Sequence, residues 1–238
     1  MVKKIVVTGG SGRFGNVLKS YKTNHKVFFP TKKELDITNY RKIEKYLSIK
    51  KPDILIHLAG LSRPMNIHEK NISKSINLNI IGTANVTKAC EKKNIKLIYF
   101  STNYVYPGTN GNYNEDDPLK PFNNYAWSKL GGECSVKLYK NSLILRVCMT
   151  EKPFIHKKAF ANVKTSFMYH DGVAKILFKL LNKQGIINIG GKAQYIYNFA
   201  KKENKKVKKI YQNKKSIKIP FDSTIDIKKL KKIVKLKF

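Results

Sequence analysis

A short apolar strand that runs directly into a glycine-rich turn constrains the fold of this chain more than any other feature. The apolar run Lys4–Thr8 is followed by glycines at positions 9, 12 and 15. In dinucleotide-binding folds the first glycine permits a tight turn, the second lets the backbone approach a diphosphate, and the third lets the helix pack on the strand. The pattern therefore predicts a helix N-terminus that faces an anion. The residues predicted to line this site are Gly9, Ser11, Gly12, Arg13, Phe14 and Gly15.

Apolar runs alternate with amphipathic stretches along the rest of the chain, which is typical of a parallel sheet with helices between its strands. The chain has 238 residues, enough for one domain or for a domain with a small lobe. We predict an α/β fold with a Rossmann-like, doubly wound parallel sheet. The predicted strands are Lys4–Thr8, Lys26–Phe29, Asp53–Leu58, Lys96–Ser101, Ser142–Arg146 and Gly185–Asn188.

Helical periodicity is clearest over residues 72–93, after Tyr125, over 173–181 and near the C-terminus. Two stretches, 104–124 and 150–170, lack periodicity and follow the carboxyl ends of predicted strands. Open α/β sheets bind their ligands at that edge.

The chain is strongly basic, with a formal net charge of +33, yet only four of its 48 basic residues are arginine. Nucleic-acid recognition makes heavy use of the arginine fork, so a nucleic-acid partner is disfavoured. We interpret the lysines as a solvated surface, with a polyanion-binding face in the Lys-rich stretch 201–238 as the alternative. The apolar runs predict neither a membrane span nor a secretion signal, so a cytoplasmic protein is expected. The three cysteines lack the spacing of a disulfide framework or a metal site.

A tyrosine and a lysine four residues apart, Tyr125 and Lys129, are predicted to share one face of a helix. A nearby ammonium favours the phenolate form, which makes a phenol usable in proton transfer at neutral pH. The fourth predicted strand ends in the hydroxyl residues Ser101 and Thr102. These hydroxyls are suited to hydrogen-bonding the carbonyl group of a substrate.

Taken in order, these motifs resemble those of the extended short-chain dehydrogenase/reductases, most closely the dTDP-4-dehydrorhamnose reductase group. The resemblance is strong over roughly residues 3–148. The segments that carry it are TGGSGRFG at 8–15, LDITN at 35–39, KPDILIHLAG at 51–60, NIIGT at 79–83, STNYVYPG at 101–108 and YNEDD at 113–117, followed by Tyr125 and Lys129.

The resemblance implies a role for individual residues. Thr102 would hold the reacting carbonyl oxygen with support from Ser101, Tyr125 would donate the proton, and Lys129 would bind the nicotinamide ribose and lower the pKa of Tyr125. Asn79 would help to organise the site. Further cofactor contacts implied in this way are Lys32, Asp36, Ile37, Leu58, Ala59 and Gly60. Substrate contacts implied in this way are Ser101, Asn103, Tyr104, Val105 and Arg146.

The implied reaction is the reduction of a 4-keto nucleotide sugar by a nicotinamide cofactor. Lysines at 32 and 33 replace the acidic residue that an NAD-preferring site usually carries after the second strand, so NADP(H) is favoured, with NAD(H) as the alternative. A nucleotide-sugar 4-epimerase and a non-catalytic, cofactor-binding regulatory subunit remain alternatives. No metal site is predicted. Relatives also suggest a homodimer.

The resemblance divides the chain into a dinucleotide-binding domain over residues 1–148 and a shortened substrate-binding lobe with the Lys-rich end over 149–238. Elements at about 172–190 are expected to return to the first domain. Family reductases usually have aspartate where this chain has Asn103.

Overall fold

A six-stranded parallel sheet forms the centre of the molecule. The computed structural model describes residues 1–213 and 219–235. The sheet order is β2-β1-β3-β4-β5-β10, with every neighbouring pair parallel. These strands are β1 (Lys4–Thr8), β2 (Lys26–Phe28), β3 (Ile54–His57), β4 (Lys96–Thr102), β5 (Ser142–Val147) and β10 (Gly185–Ile189). All six predicted strands are confirmed to within about one residue at each end.

Helices cover both faces of this sheet, as the doubly wound prediction requires. Buried side chains of α1 (Arg13–Ser20) and α7 (His170–Leu177) join the core on one face. Those of α2 (Tyr40–Lys50), α5 (Gly82–Lys92) and α6 (Asn124–Lys137) join the core on the other. The strands connect the two cores because consecutive side chains point to opposite faces.

The helix predicted over 72–93 begins as predicted but changes its winding along its length. It consists of α4 (Ile72–Ser75), a π-helical segment (Ile76–Ile81) and α5. Helix α3 (Ile67–Lys70) precedes it, and a 3-10 helix (Asn103–Val105) follows β4. π-helical turns occur frequently at functional sites. This one carries Asn79, which the sequence implicates in the site.

The C-terminal part of the chain has a small core of its own. This cluster comprises Phe154, Ala159, Phe199, Ala200 and Val207. The stretch 150–170 contains short strands that the lack of periodicity did not predict, because segments of two or three residues carry no detectable period. The remaining elements are β6 (Met149–Thr150), β7 (Lys158–Phe160), β8 (Lys164–Thr165), β9 (Met168–Tyr169), β11 (Gln194–Tyr195), α8 (Ile196–Glu203), β12 (Lys208–Ile210) and α9 (Lys228–Ile233).

The exposure of the lysines in the last helix bears on whether the Lys-rich stretch 201–238 is a solvated surface or a polyanion-binding face. In α9, Leu230 is fully buried while Lys228, Lys229, Lys231 and Lys232 are exposed. This is the pattern of an ordinary amphipathic helix with a solvated side. Lys237, at the far end of the Lys-rich stretch, lies outside the described residues. Within residues 1–213 and 219–235, no helix is long and apolar enough to cross a bilayer.

A buried ion pair joins β5 to α6 and fixes a residue that the sequence implicates in substrate binding. Arg146 donates to Glu133 through Nε at 3.0 Å and through Nη2 at 2.7 Å. Its Nη1 donates to the Tyr106 hydroxyl and to the Glu115 carbonyl. Both charged side chains are almost completely buried, at 3% and 4% exposure. The Arg146 guanidinium is thus engaged inside the protein, and its substrate contact stays a prediction.

We expect Arg146→Met to lower the free energy of unfolding by about 3–5 kcal/mol, because the substitution leaves the Glu133 carboxylate buried without its cation. The measurement is urea unfolding followed by circular dichroism. Arg41→Met on the exposed side of α2 is the matched control and should change stability by less than about 0.5 kcal/mol. Equal effects of the two substitutions would contradict the structural role of Arg146.

Candidate active site

The glycine-rich turn brings the ends of β1 and β3 into direct backbone contact. Gly9 has a φ of +72°, and a Cβ atom there would lie 2.6 Å from the Ala59 nitrogen. The Gly12 amide donates to the Gly9 carbonyl at 3.0 Å. A Cβ atom at Gly15 would lie 2.6 Å from the same carbonyl, so α1 packs tightly against the turn. Gly9 and Gly15 thus fill positions where a larger residue would collide, and a Cβ atom at Gly12 would be tight against the Gly9 carbonyl at 3.2 Å.

The N-terminus of α1 is open toward the turn. Gly12 is its N-cap residue and supplies no side-chain cap. Ser11, Gly12 and Arg13 are exposed, whereas Phe14 is buried with its ring 5.2 Å from that of Phe100. Unpaired backbone amides and the helix dipole favour an anion at such an end. The residues present fit a diphosphate, with Phe14 anchoring the helix from beneath.

The acidic residues that follow β2 are engaged within their own turns. Glu34 accepts hydrogen bonds from the Thr31 amide and hydroxyl. Asp36 accepts from the Thr38 amide at 2.9 Å and from its hydroxyl at 2.7 Å. Burial acts to raise the pKa of Asp36, but these hydrogen bonds outweigh it and the pKa lies below its usual value. The Lys32 ammonium is 4.0 Å from Asp36, and the Lys32 side chain is 80% exposed.

Ile37, a predicted cofactor contact, is a core residue in this structure. It is 5% exposed and packs under α5, where a Cβ atom at Gly82 would lie 2.8 Å from its Cδ1. Its carbonyl oxygen accepts a hydrogen bond from Asn85. The Ile37 side chain therefore supports the candidate site from inside the core.

Asn79 holds the loop after β3 in place. Its Oδ1 accepts from the Leu61 amide at 2.7 Å, and its Nδ2 donates to the Leu61 carbonyl at 2.9 Å. The same Nδ2 donates to the Ser128 hydroxyl of α6 at 2.8 Å. Gly60 is exposed beside it, and a Cβ atom there would lie 2.8 Å from Asn79 Oδ1. The loop of Leu58, Ala59 and Gly60 is thereby joined to the helix that carries Tyr125.

Tyr125 lies beside Thr102 at the carboxyl end of β4. The Thr102 side chain lies close enough to the Tyr125 hydroxyl to affect its pKa. The Tyr125 ring is also in edge contact with His68, at a centroid distance of 5.1 Å. Burial raises the pKa of Tyr125, while Thr102 and then the Arg63 and Arg13 charges act to lower it. The two residues predicted to handle the carbonyl oxygen are thus brought together.

Lys129 is buried one helical turn from Tyr125, and its ammonium lies over the Tyr99 ring at 4.2 Å from the centroid. Burial lowers the pKa of Lys129 to about 7, against an opposing effect of Glu133. The predicted lowering of the Tyr125 pKa is wrong for this structure, in which that pKa is raised. The physical reason is that burial dominates at Tyr125 while the lysine ammonium packs against a different ring.

The residues around Thr102 differ in where they point. Ser101 donates to Glu133 at 2.6 Å and so belongs to the buried ion-pair network. Asn103 donates through Nδ2 to the Ser223 carbonyl at 2.9 Å, a bond that the family's aspartate could not donate. Val105 is fully buried in the core. The substrate contacts of Ser101 and Val105 stay predictions. Tyr104 packs beside Tyr125 at a centroid distance of 6.4 Å.

Four further residues of the candidate site were not predicted from the sequence. Ser128 is adjacent to Lys129 in the motif, and His68 bonds Ser75 through Nδ1 at 2.7 Å under the Tyr125 ring. Arg63 and Glu151 form an ion pair at 3.1 Å. Ser128 could have been predicted from its place beside Lys129 in the Tyr125–Lys129 motif. Arg63 could have been predicted from its position three residues after Gly60. Nothing in the local sequence distinguishes His68 or Glu151.

The family model described as the RmlD substrate binding domain matches residues 3–153. Among curated proteins, the chain is 30% identical over 140 residues to dTDP-4-dehydrorhamnose reductase of Mycolicibacterium smegmatis, covering 57% of this chain and 42% of that protein. It is 31% identical over 158 residues to methionine adenosyltransferase 2 subunit beta of Danio rerio, covering 61% and 47% respectively.

Solved structures of the same architecture extend over nearly the whole chain. A dTDP-4-dehydrorhamnose reductase from Bacillus anthracis, in complex with NADP, has a TM-score of 0.87 at 24% identity, covering 97% of this chain and 91% of that one. A hypothetical dTDP-4-dehydrorhamnose reductase from Sulfolobus tokodaii has a TM-score of 0.86 at 26% identity, covering 99% and 96%.

The chain spans about half the length of the curated relatives that it matches. The matched segment contains the glycine turn, Asn79 with its bonds to Leu61, and the pair Thr102 and Tyr125. With that match covering more than half of its residues, the chain belongs to the RmlD substrate-binding domain family.

Proposed function

We propose that this protein is an NADP(H)-dependent reductase of a 4-keto nucleotide sugar. The observation that carries the proposal is the position of Thr102 beside Tyr125, with Lys129 one helical turn further along α6. The pair lies at the carboxyl ends of the parallel strands, the edge at which such sheets bind ligands. The name and NADP complex of the Bacillus anthracis relative agree with this assignment.

In the proposed reaction the chain positions a sugar carbonyl and supplies one proton. The Thr102 and Tyr125 hydroxyls would both donate hydrogen bonds to the carbonyl oxygen. Tyr125 then transfers its proton as negative charge develops on that oxygen. A bound nicotinamide cofactor supplies the hydride. Because Tyr125 is partly buried, water competes little for its hydroxyl.

Lys129 is proposed to bind the ribose hydroxyls of the cofactor through its ammonium. Among the residues that the structure describes, no hydrogen bond or ion pair is found for this ammonium, whose contact is with the Tyr99 ring. A buried lysine with a pKa of about 7 gains charge when a hydrogen-bonding partner is supplied. Cofactor binding would therefore raise the pKa of Lys129 and bring a positive charge near Tyr125.

NADP(H) is the proposed cofactor, with NAD(H) as the weaker alternative. After β2 the acidic side chains of Glu34 and Asp36 accept hydrogen bonds from their own turns. Lys32 is largely exposed and flanks Asp36. A lysine ammonium suits a 2′-phosphate better than it suits a free ribose hydroxyl pair.

We assign residues 149–238 to a reduced lobe that covers the sugar, with α7 and β10 belonging to the dinucleotide-binding domain. The separate cluster around Phe199 supports this division. The bond from Asn103 to Ser223 supports a close position of the lobe beside β4. The exposed apolar residues Ile72, Ile76 and Trp127 support the further proposal of a homodimer through the helical stretch 72–93 and α6.

A second candidate is a non-catalytic subunit that binds the cofactor and docks on another enzyme. It is favoured by the relatives named methionine adenosyltransferase 2 subunit beta. The reductase is preferred because the hydroxyl pair of Thr102 and Tyr125 is intact. A 4-epimerase would use the same residues and is separated from the reductase by its products.

We expect Tyr125→Phe to reduce turnover by about 10²–10⁴-fold while the affinity for NADPH stays the same, because only the proton donor is removed. The measurement is NADPH oxidation with dTDP-linked and UDP-linked 4-keto sugars under single-turnover conditions. Tyr21→Phe, whose ring stacks on Phe178, is the matched control and should retain full activity. Normal turnover in Tyr125→Phe would remove the proton-donor role.

The double substitution Lys32→Ala and Lys33→Ala should weaken NADPH binding by about tenfold and leave NADH binding nearly unchanged, because it removes cations suited to the 2′-phosphate. Calorimetric titration of each cofactor measures the two affinities. Lys183→Ala with Lys229→Ala removes the same charge from exposed positions elsewhere and controls for the general field of the protein. A parallel loss for both cofactors would refute the preference for NADP(H).

NADPH binding at pH 8 should be accompanied by uptake of up to about one proton, since Lys129 is largely neutral above pH 7 and becomes charged when it binds the ribose. Calorimetry in buffers of different ionisation enthalpy measures this uptake. It should disappear in Lys129→Met and persist in Lys96→Met. Lys96 is the matched control because burial lowers its pKa to about 8 at the opposite end of the sheet. Uptake that survives in Lys129→Met would contradict the assignment.

A further inference from the structure

Two arginines from distant parts of the chain converge on one carboxylate oxygen beside the glycine turn. Arg13 Nη1 lies 3.2 Å from Glu151 Oε1, and Arg63 Nη1 lies 3.1 Å from the same atom. Arg13 Nη2 also donates to the Ser62 hydroxyl at 3.4 Å. The cluster therefore joins the first residue of α1, the loop after β3 and the segment after β6.

The charges in this cluster do not balance. Two guanidinium groups share a single carboxylate, so one positive charge remains, and each guanidinium has five N–H donors of which few are used. The Arg13 and Arg63 side chains are 45% and 38% exposed, while Glu151 is only 14% exposed. Burial acts to raise the pKa of Glu151, but a backbone hydrogen bond and the Arg63 and Arg13 charges hold it below its usual value. The carboxylate thus stays charged beneath two accessible cations.

The position of the pair indicates what these cations face. Arg13 begins the helix whose open N-terminus already favours an anion. Both arginines act to lower the pKa of Tyr125, so their charges interact with the hydroxyl of the proposed proton donor. The histidines nearby are not competing cations, since burial lowers the pKa of both His156 and His170. The two arginines therefore supply accessible positive charge between the glycine turn and Tyr125.

We infer that Arg13 and Arg63 form a diphosphate-binding pair, which Glu151 holds in place until phosphate oxygens replace its carboxylate. Guanidinium groups bind phosphate through two parallel N–H···O bonds, which a single shared carboxylate oxygen does not offer. A diphosphate has enough oxygens to serve both forks. The inference rests on the proposed function, since the diphosphate belongs either to the dinucleotide cofactor or to the nucleotide sugar.

The test compares Arg63→Ala and Glu151→Gln with the wild-type protein by calorimetry. NADP⁺ and UDP are titrated separately, so that the two sources of diphosphate are distinguished. Arg63→Ala should weaken one of these ligands by at least about tenfold. Glu151→Gln should tighten the same ligand by about two- to fivefold, because the competing carboxylate is neutralised. Arg41→Ala on α2 is the matched control and should leave both affinities unchanged.

The opposite signs separate recognition from mere support of the fold. If the cluster only holds the loops together, both variants weaken binding, and that result overturns the inference. Unchanged affinities in Arg63→Ala for both ligands overturn it as well. The proposed function fails in a different way, by an absence of NADPH-dependent reduction of any 4-keto sugar in the wild-type protein, whatever the calorimetry shows.

Discussion

The close approach of the Gly9 turn to the chain leaving β3 is the constraint on which the cleft depends. With φ at +72° and no room for a Cβ beside Ala59, this position admits glycine alone without displacement of the backbone. The approach brings the carboxyl ends of β1 and β3 together. The strand order runs outward from this pair in both directions, to β2 on one side and to β4 on the other, so the pair is the switch point of the sheet. Ligand crevices form at such switch points. The helix N-terminus, the loop after β3 and Arg13 all take their positions from this one contact.

Asn79 extends that constraint to the other side of the cleft. Its amide group binds the backbone of Leu61 in both directions and also binds Ser128, with Asn79 itself 1% exposed. Each bond stabilises by about 1 kcal/mol, and loss of the amide would leave buried partners unsatisfied at a larger cost. Because Ser128 lies between Tyr125 and Lys129 on α6, a single side chain sets the distance from the glycine turn to the proposed catalytic residues.

The sequence was most informative where function depends on local spacing. The strands were predictable from their apolar runs. The four-residue interval from Tyr125 to Lys129 predicted that both lie on one helix, α6, because helical geometry depends on neighbours in the chain. It was least informative where long-range contacts decide the role of a side chain. Arg146 at the end of a strand has the appearance of a binding residue, and only the structure reveals its buried contact with Glu133. The convergence of Arg13 and Arg63 on Glu151 likewise joins segments with no local signature.

Lysine and arginine have different electrostatic roles in this chain. Lysines make up 44 of its 48 basic residues and mostly cover solvated faces, as on α9. Of the four arginines, Arg146 is buried against a carboxylate and two more border the proposed active site. A rigid planar fork can fix geometry where a flexible ammonium cannot. The large positive charge of the lysines is therefore a diffuse field, while the fixed bonds of Arg146, Arg13 and Arg63 to carboxylates are made by guanidinium groups.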